Sequence, residues 1–257
     1  MTRRILASLL LFVGAALAQD WQEGLRYYSA EDYEQAQRSF ERALSQDPES
    51  SEFSLWVGLA VGRRVQTMSA LRRLGAMPLV RRVKRQFERA VELDSSNIDA
   101  LDALMGFLLQ APAIMGGSKS DARAVAERIQ KIDPAHGAHA LGVWHEAVDD
   151  VEKAGTQYEL ARQLAPDESS YLVAHAAYLA RHGRHSESDE LFEIAFARDP
   201  DNPDVWVVAF KAWVGAKRRS LYPRARQLGE RYIASASRAP DSDPPSEVRA
   251  LLKRISK

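Results

Sequence analysis

Residues 141–166 read LGVWHEAVDDVEKAGTQYELARQLAP, and this stretch decides the fold. Ala154, Tyr158 and Ala161 stand at i, i+4 and i+7, which is one face of an α-helix. Gly142 precedes Ala154 by 12 residues, and Pro166 follows Ala161 by five. The small residues allow two helices to approach closely. Alternating strand patterns are missing from the chain. Helical segments of about 12–15 residues alternate with turns rich in Pro, Gly or Asp.

Working outward, the same arrangement returns. Proline follows Asp or Ala at Pro48, Pro134, Pro166 and Pro200, with spacings of 32 and 34 residues from Pro134 onward. Five residues before the proline stands Ala43, Ala161 or Ala195, with Ile129 as the exception. An aromatic precedes the alanine by three at Phe40, Tyr158 and Phe192. Phe87 and Ala90 repeat that pair without the proline, and Gly24 precedes Ala36 by 12. A period of this size marks a stacked repeat array.

These residues resemble the tetratricopeptide repeat (TPR), whose pattern is a small residue, then alanine, an aromatic, a second alanine and proline. The first repeat matches with Gly24, Tyr27, Ala36, Phe40, Ala43 and Pro48. The fourth matches with Leu141, Gly142, Ala154, Tyr158, Ala161 and Pro166. The fifth matches with Ala176, Phe192, Ala195 and Pro200, with Ser188 in the place of an alanine. The resemblance implies an all-α solenoid of helical hairpins, a right-handed superhelix with a concave groove. About six repeats are expected, near residues 20–48, 51–95, 98–134, 135–166, 169–200 and 203–236, within a repeat domain over 19–240. Two are irregular. Gly58 and Phe87 stand 29 apart where 16 is expected, which leaves thirteen extra residues around Arg63 to Pro78. The third repeat carries an inserted loop, residues 111–120. Trp206 and Trp213 fall on the first helix of the sixth. Residues 241–257 read as a linker and an amphipathic capping helix opened by Ser246.

Composition narrows the chemistry. The chain has 257 residues, 35 basic and 35 acidic, and no cysteine. Disulfides, thiolate metal sites, cysteine nucleophiles and lipid-anchored cysteine are excluded. Arg3 and Arg4, an apolar run from Ile5 to Leu17 and the small-x-small site Ala16-Leu17-Ala18 have the form of a signal peptide over residues 1–18. The expectation is an exported, periplasmic or secreted bacterial protein, mature from near Gln19.

Each candidate site has a plainer reading beside it. Gly116-Gly117-Ser118-Lys119-Ser120 lacks the glycine spacing and preceding strand of a phosphate loop. It reads instead as a helix start, with Ser118 as cap and Asp121 near the positive helix end. His136 and His139, and His182 and His185, are spaced as metal-ligand pairs but lack a supporting carboxylate motif; no metal or cofactor is expected. Nine bases against one acid lie between Arg63 and Arg89, including Arg72, Arg73, Arg81, Arg82, Lys84 and Arg85. Residues 20–52 hold nine acids and three bases. The basic patch is either neutralised by that acidic neighbour or offered to an acidic protein or anionic membrane surface. Nucleic acid is not expected, since Phe87 is the stretch's one aromatic and the repeat pattern assigns it to the core. No nucleophile elbow or acid–base constellation occurs, so an enzyme is not expected.

The resemblance places a groove on the first helix of each hairpin. Its residues would be Trp21, Leu25 and Tyr28; Leu55 and Leu59; Phe107 and Gln110; His136, His139, Val143 and Glu146; Val173 and Arg181; and Val207 and Lys211. The expected function is a protein–protein interaction scaffold that binds a peptide or protein segment there. The alternative is an accessory subunit of an envelope transport or assembly system that engages a small ligand or lipid.

Overall fold

A computed structural model describes residues 17–69, 72 and 75–256, and every regular element among them is helical. The expected leader therefore lies outside the described residues, apart from Leu17 and Ala18, which are helical; Arg73 lies outside them too. The chain forms two compact units that divide between Ile132 and Asp133.

The first unit holds three helical hairpins. Helix α1 (residues 17–29) pairs with α2 (Tyr33–Gln46), α3 (Ser51–Thr67) with α4 (Met77–Leu93), and α5 (Ile98–Gln110) with α6 (Lys119–Ile132). The second holds three more and a final helix. Helix α7 (Pro134–Ala147) pairs with α8 (Val151–Leu164), α9 (Ser169–Arg181) with α10 (His185–Arg198), and α11 (Pro203–Gly215) with α12 (Tyr222–Ala234). Helix α13 (Pro245–Ile255) closes the array. Within each unit the first helices of adjacent hairpins also touch, α3 with α5 and α9 with α11. That contact buries the face one hairpin cannot cover alone.

Local chemistry sets the boundaries. Side chains of Asp32, Ser50, Asn97, Asp133, Asp150 and Asn202 accept from backbone N–H groups in the first turns of α2, α3, α5, α7, α8 and α11. Such caps satisfy donors that have no partner inside the helix. Pro134 and Pro203 sit at first helical positions, where a missing N–H costs nothing. Ser118 caps α6 as expected, accepting from Asp121 N–H at 3.2 Å.

The small-residue and aromatic pairing has a steric cause. A Cβ at Gly24 would lie 2.3 Å from the Phe40 ring, and one at Gly58 would lie 2.5 Å from Phe87. Glycine lets the first helix of a hairpin rest on the aromatic of the second. Ala36, Phe40 and Ala43 are fully buried behind it. In the fifth hairpin Ser188 is fully buried where alanine was expected, and its hydroxyl donates to the Ala176 carbonyl at 2.8 Å. That bond removes the penalty of burying the hydroxyl.

The insertion in the second repeat does not form a free loop over its whole length. Helices α3 and α4 are 17 residues each, against 13 or 14 for the other paired helices from α2 to α12. Much of the extra sequence lengthens both arms together. At the other end, α13 packs on α11 and α12, with Val248 1% exposed and Leu252 against Gly229. Tyr232 donates its hydroxyl to the Asp243 carbonyl and fastens the linker. No helix among the described residues is long and apolar enough to cross a membrane.

Candidate functional site

The densest polar arrangement lies in the second unit, at the C-terminal ends of α7 and α9. Glu146 accepts two hydrogen bonds from Arg181, at 2.7 and 2.8 Å. The Tyr158 hydroxyl of α8 donates to the same carboxylate at 3.0 Å, and His182 Nε2 lies 3.2 Å from it. Burial alone would raise the Glu146 carboxyl. Arg181, Tyr158 and His182 outweigh it and hold the group below its ordinary value. Burial, followed by the Glu146 charge, pushes the Tyr158 hydroxyl up. Glu146 is therefore ionised and surrounded by donors, which suits a positioning group and not a proton acceptor. Its effect is to fix Arg181, whose side chain stays half exposed.

A ring stripe continues from this network along α7 and α9. His139 stands edge-on to Tyr158, with centroids 5.8 Å apart, and Tyr171 packs beside both His136 and His139. Tyr171 and His136 also approach to 3.3 Å through the hydroxyl and Nδ1. Val143 packs against the cluster of Ala154, Tyr158, Tyr178 and Leu179 beneath. Contact thus runs unbroken from Tyr171 through the histidines and Tyr158 to Glu146 and Arg181. His136, His139, Val143, Glu146 and Arg181, all expected from the sequence, fall together here. Tyr171, His182 and the Tyr158 hydroxyl were not expected as participants. One sequence signal pointed to the last: the aromatic position holds Tyr here but Phe at 40, 87 and 192.

The other expected groove residues lie elsewhere. Tyr28, Leu55, Val173 and Val207 are buried in helix packing, at 2–5% exposure, and offer little surface to a partner. Trp21 and Tyr28 join the first two hairpins through ring contacts with Trp56, at centroid distances of 5.7 and 5.3 Å. The reason is that a first helix buries its apolar side against the next hairpin, leaving only part of that face open. Leu25, Leu59 and Phe107 are partly buried and Gln110 is exposed. Leu55 borders an open cleft of about 480 Å³ with Trp56, Glu49, Glu52 and Asp99. Lys211 is paired with Asp243 at 2.6 Å, which ties α11 to the linker.

The basic stretch is partly neutralised inside its own unit. Arg82 pairs with Glu41 at 2.5 Å, Arg89 with Glu49 at 2.9 Å, and Arg64 approaches Glu34 at 3.9 Å. Lys84 is 3.6 Å from Glu88. Arg72, Arg81 and Arg85 are exposed. Among the described residues no cluster of three or more His, Asp or Glu could hold a metal ion.

Comparison with known proteins agrees with this architecture. The tetratricopeptide repeat family pattern matches residues 22–63, the first hairpin and most of α3. No curated protein matches the chain in sequence. Among solved structures, TTC0263, a thermophilic TPR protein of Thermus thermophilus, is 19% identical. The match covers 76% of this chain and 98% of that one, with a TM-score of 0.57. The pilF protein of Pseudomonas aeruginosa is 16% identical over 93% of this chain and 98% of its own, with a TM-score of 0.53. Both likenesses are of fold. The chain is an all-α array of tetratricopeptide-like helical hairpins.

Proposed function

We propose that this protein is a binding scaffold, not an enzyme, and that it takes a peptide or protein segment on the α7–α9 face of its second unit. One observation carries this reading: Arg181 is half exposed yet held in place by two hydrogen bonds to Glu146. A guanidinium has five N–H donors in a planar fork. Glu146 engages two of them, and the fork is oriented before any partner arrives. Such preorganisation reduces the entropy lost on binding. His136, His139 and Tyr171 extend the face with flat rings that are apolar in body and polar at the edge. The partner that fits is a segment with a carboxylate for Arg181 and an apolar side chain for the rings.

The fold supports the reading, because stacked hairpins present extended binding surfaces. Function still rests on the site. Arg3, Arg4 and the apolar run to Leu17 support export, with cleavage near Ala18 and action in the bacterial periplasm or outside the cell. Binding of this kind requires no cofactor.

The test is crosslinking of the C-terminally tagged chain in its own host, followed by mass spectrometry. One envelope protein should be enriched with the wild type and reduced by about tenfold or more with Arg181→Glu. Equal recovery with both overturns the assignment of this face.

A further inference from the structure

We propose that the first unit carries a docking surface for an anionic phospholipid bilayer, formed by Ile114 and the exposed Arg81 and Arg85 of α4. This goes beyond the scaffold reading, uses a different unit, and does not depend on it.

Ile114 is 81% exposed, while the other exposed large aliphatic side chains range from 39 to 49%. It lies at the centre of a 3₁₀ turn, Ala113–Met115, flanked by exposed Pro112 and Ala113. The exposure is enforced by the backbone. Met115 N–H donates to the Pro112 carbonyl at 2.8 Å, Gly116 N–H to Ala113 at 2.9 Å, and Ser118 N–H to Leu108 at 2.9 Å. Gly116 has φ +93°, which an L side chain rarely adopts. A Cβ at Gly117 would fall 1.8 Å from the Ala111 carbonyl oxygen. The turn is therefore closed tightly onto the end of α5, and it holds an isoleucine outward.

Beside it are cations. A Cβ at Gly116 would sit 3.1 Å from Lys84 Cδ, so the Lys84 stem lies against the turn. Arg81 lies three residues before Lys84 and Arg85 four after Arg81, so Arg81 neighbours both on the surface of α4. Arg81 and Arg85 are exposed, and neither has an ion-pair partner among the described residues. Their neighbours Arg82 and Arg89 are turned to Glu41 and Glu49. Lys84 is itself 3.6 Å from Glu88, so the positive excess of this part of α4 rests on Arg81 and Arg85.

This juxtaposition fits a lipid surface better than an acidic protein. A single protruding aliphatic on a short turn needs a shaped pocket in a protein partner. The headgroup–acyl boundary of a bilayer accepts it without one. Arg and Lys near an anionic leaflet add attraction and can extend to the phosphates while their stems cover apolar surface. Stacking aromatics for nucleic acid are missing from this face, since Phe87 is buried.

Co-sedimentation of the full chain with vesicles tests the proposal. One set is phosphatidylcholine, and the other contains phosphatidylglycerol. The N-terminal segment, with Arg3 and Arg4 before its apolar run, is common to wild type and variants, so its contribution cancels when they are compared. The wild type should prefer the anionic vesicles. Ile114→Asp should weaken that binding by about tenfold, the order expected for losing one inserted aliphatic. Arg81→Glu with Arg85→Glu should weaken it at least as much. Ile114 is so exposed that its replacement leaves the helical circular dichroism unchanged, which separates lost binding from lost fold. No preference for anionic vesicles overturns the proposal. So does binding that survives Ile114→Asp but fails on charge reversal, because Ile114 then inserts nothing and the attraction is unspecific charge.

Discussion

The Glu146 carboxylate holds the Arg181 guanidinium by two hydrogen bonds across 35 residues of sequence and so fastens the end of α7 to the end of α9. The pair is a structural tie as well as the centre of the binding face. Its carboxyl titrates below the ordinary value of 4.5 despite burial, because Arg181, Tyr158 and His182 favour the charged form. The stability from this shift is present above the unfolded-state value and is lost as pH falls through the folded-state value. Glu146→Gln should therefore lower the melting temperature at neutral pH and flatten the acid limb of the stability–pH curve. Thermal melts of both proteins from neutral to acid pH check this, and parallel curves would contradict it.

Tyr158→Phe removes one donor from the same carboxylate and leaves the ring packing intact. The expected loss is about 1.5–3 kcal/mol, because the acceptor is charged. Urea unfolding monitored by circular dichroism measures it.

Gly24→Ala should destabilise the first hairpin by about 1–3 kcal/mol, because the new methyl meets the Phe40 ring. Gly24→Ala combined with Phe40→Leu should recover part of that loss. A simple sum of the single effects would show that the contact is not the cause.

Ser188→Ala restores the residue that the repeat pattern prefers. The Ser188 hydroxyl donates to the Ala176 carbonyl, which lies within α9 and can also accept from the next turn. No buried donor or acceptor is orphaned, so stability should change by less than about 0.5 kcal/mol. A larger drop in the urea midpoint would mean that the bond itself holds α10 to α9.

Removing residues 241–257 uncovers Tyr232, Gly229 and the outer side of α11, which α13 covers. A last hairpin with an open apolar face is prone to self-association. The truncated chain should melt lower and elute larger from a sizing column as concentration rises.

The hairpins were legible in the sequence because they obey short-range rules. Gly24 with Phe40 and Ala154 with Tyr158 and Ala161 are fixed by helix period and ring size alone. The capping role of Ser118 was legible for the same reason. The binding face was legible only in part. Residue spacing can place His139 and Glu146 on a first helix, but it cannot say which part of that helix the next hairpin will cover. Tyr28 and Leu55 disappear into the packing for that reason. The distribution of charge was equally hidden. Glu41 and Arg82 are 41 residues apart, and only the folded hairpins bring them to 2.5 Å. The exposure of Ile114 was invisible, since its surroundings on the chain are as apolar as those of a buried residue.

The long second hairpin shows how this array changes size. An α-helix advances about 5.4 Å and turns once in 3.6 residues. Arms of 17 residues in place of 13 or 14 are each longer by about that amount. Because the extra residues lie after Val61 and before Phe87, at the tip of the hairpin, Val57 and Val61 on one arm and Phe87 and Val91 on the other still point inward. The added turns cover each other, with Val83 of α4 buried at 6% exposure and set against Gly62 of α3. Length in this fold is therefore added at the tip, where both arms extend together and the packed base of the hairpin stays as it is; an extension of one arm alone would leave its apolar side uncovered.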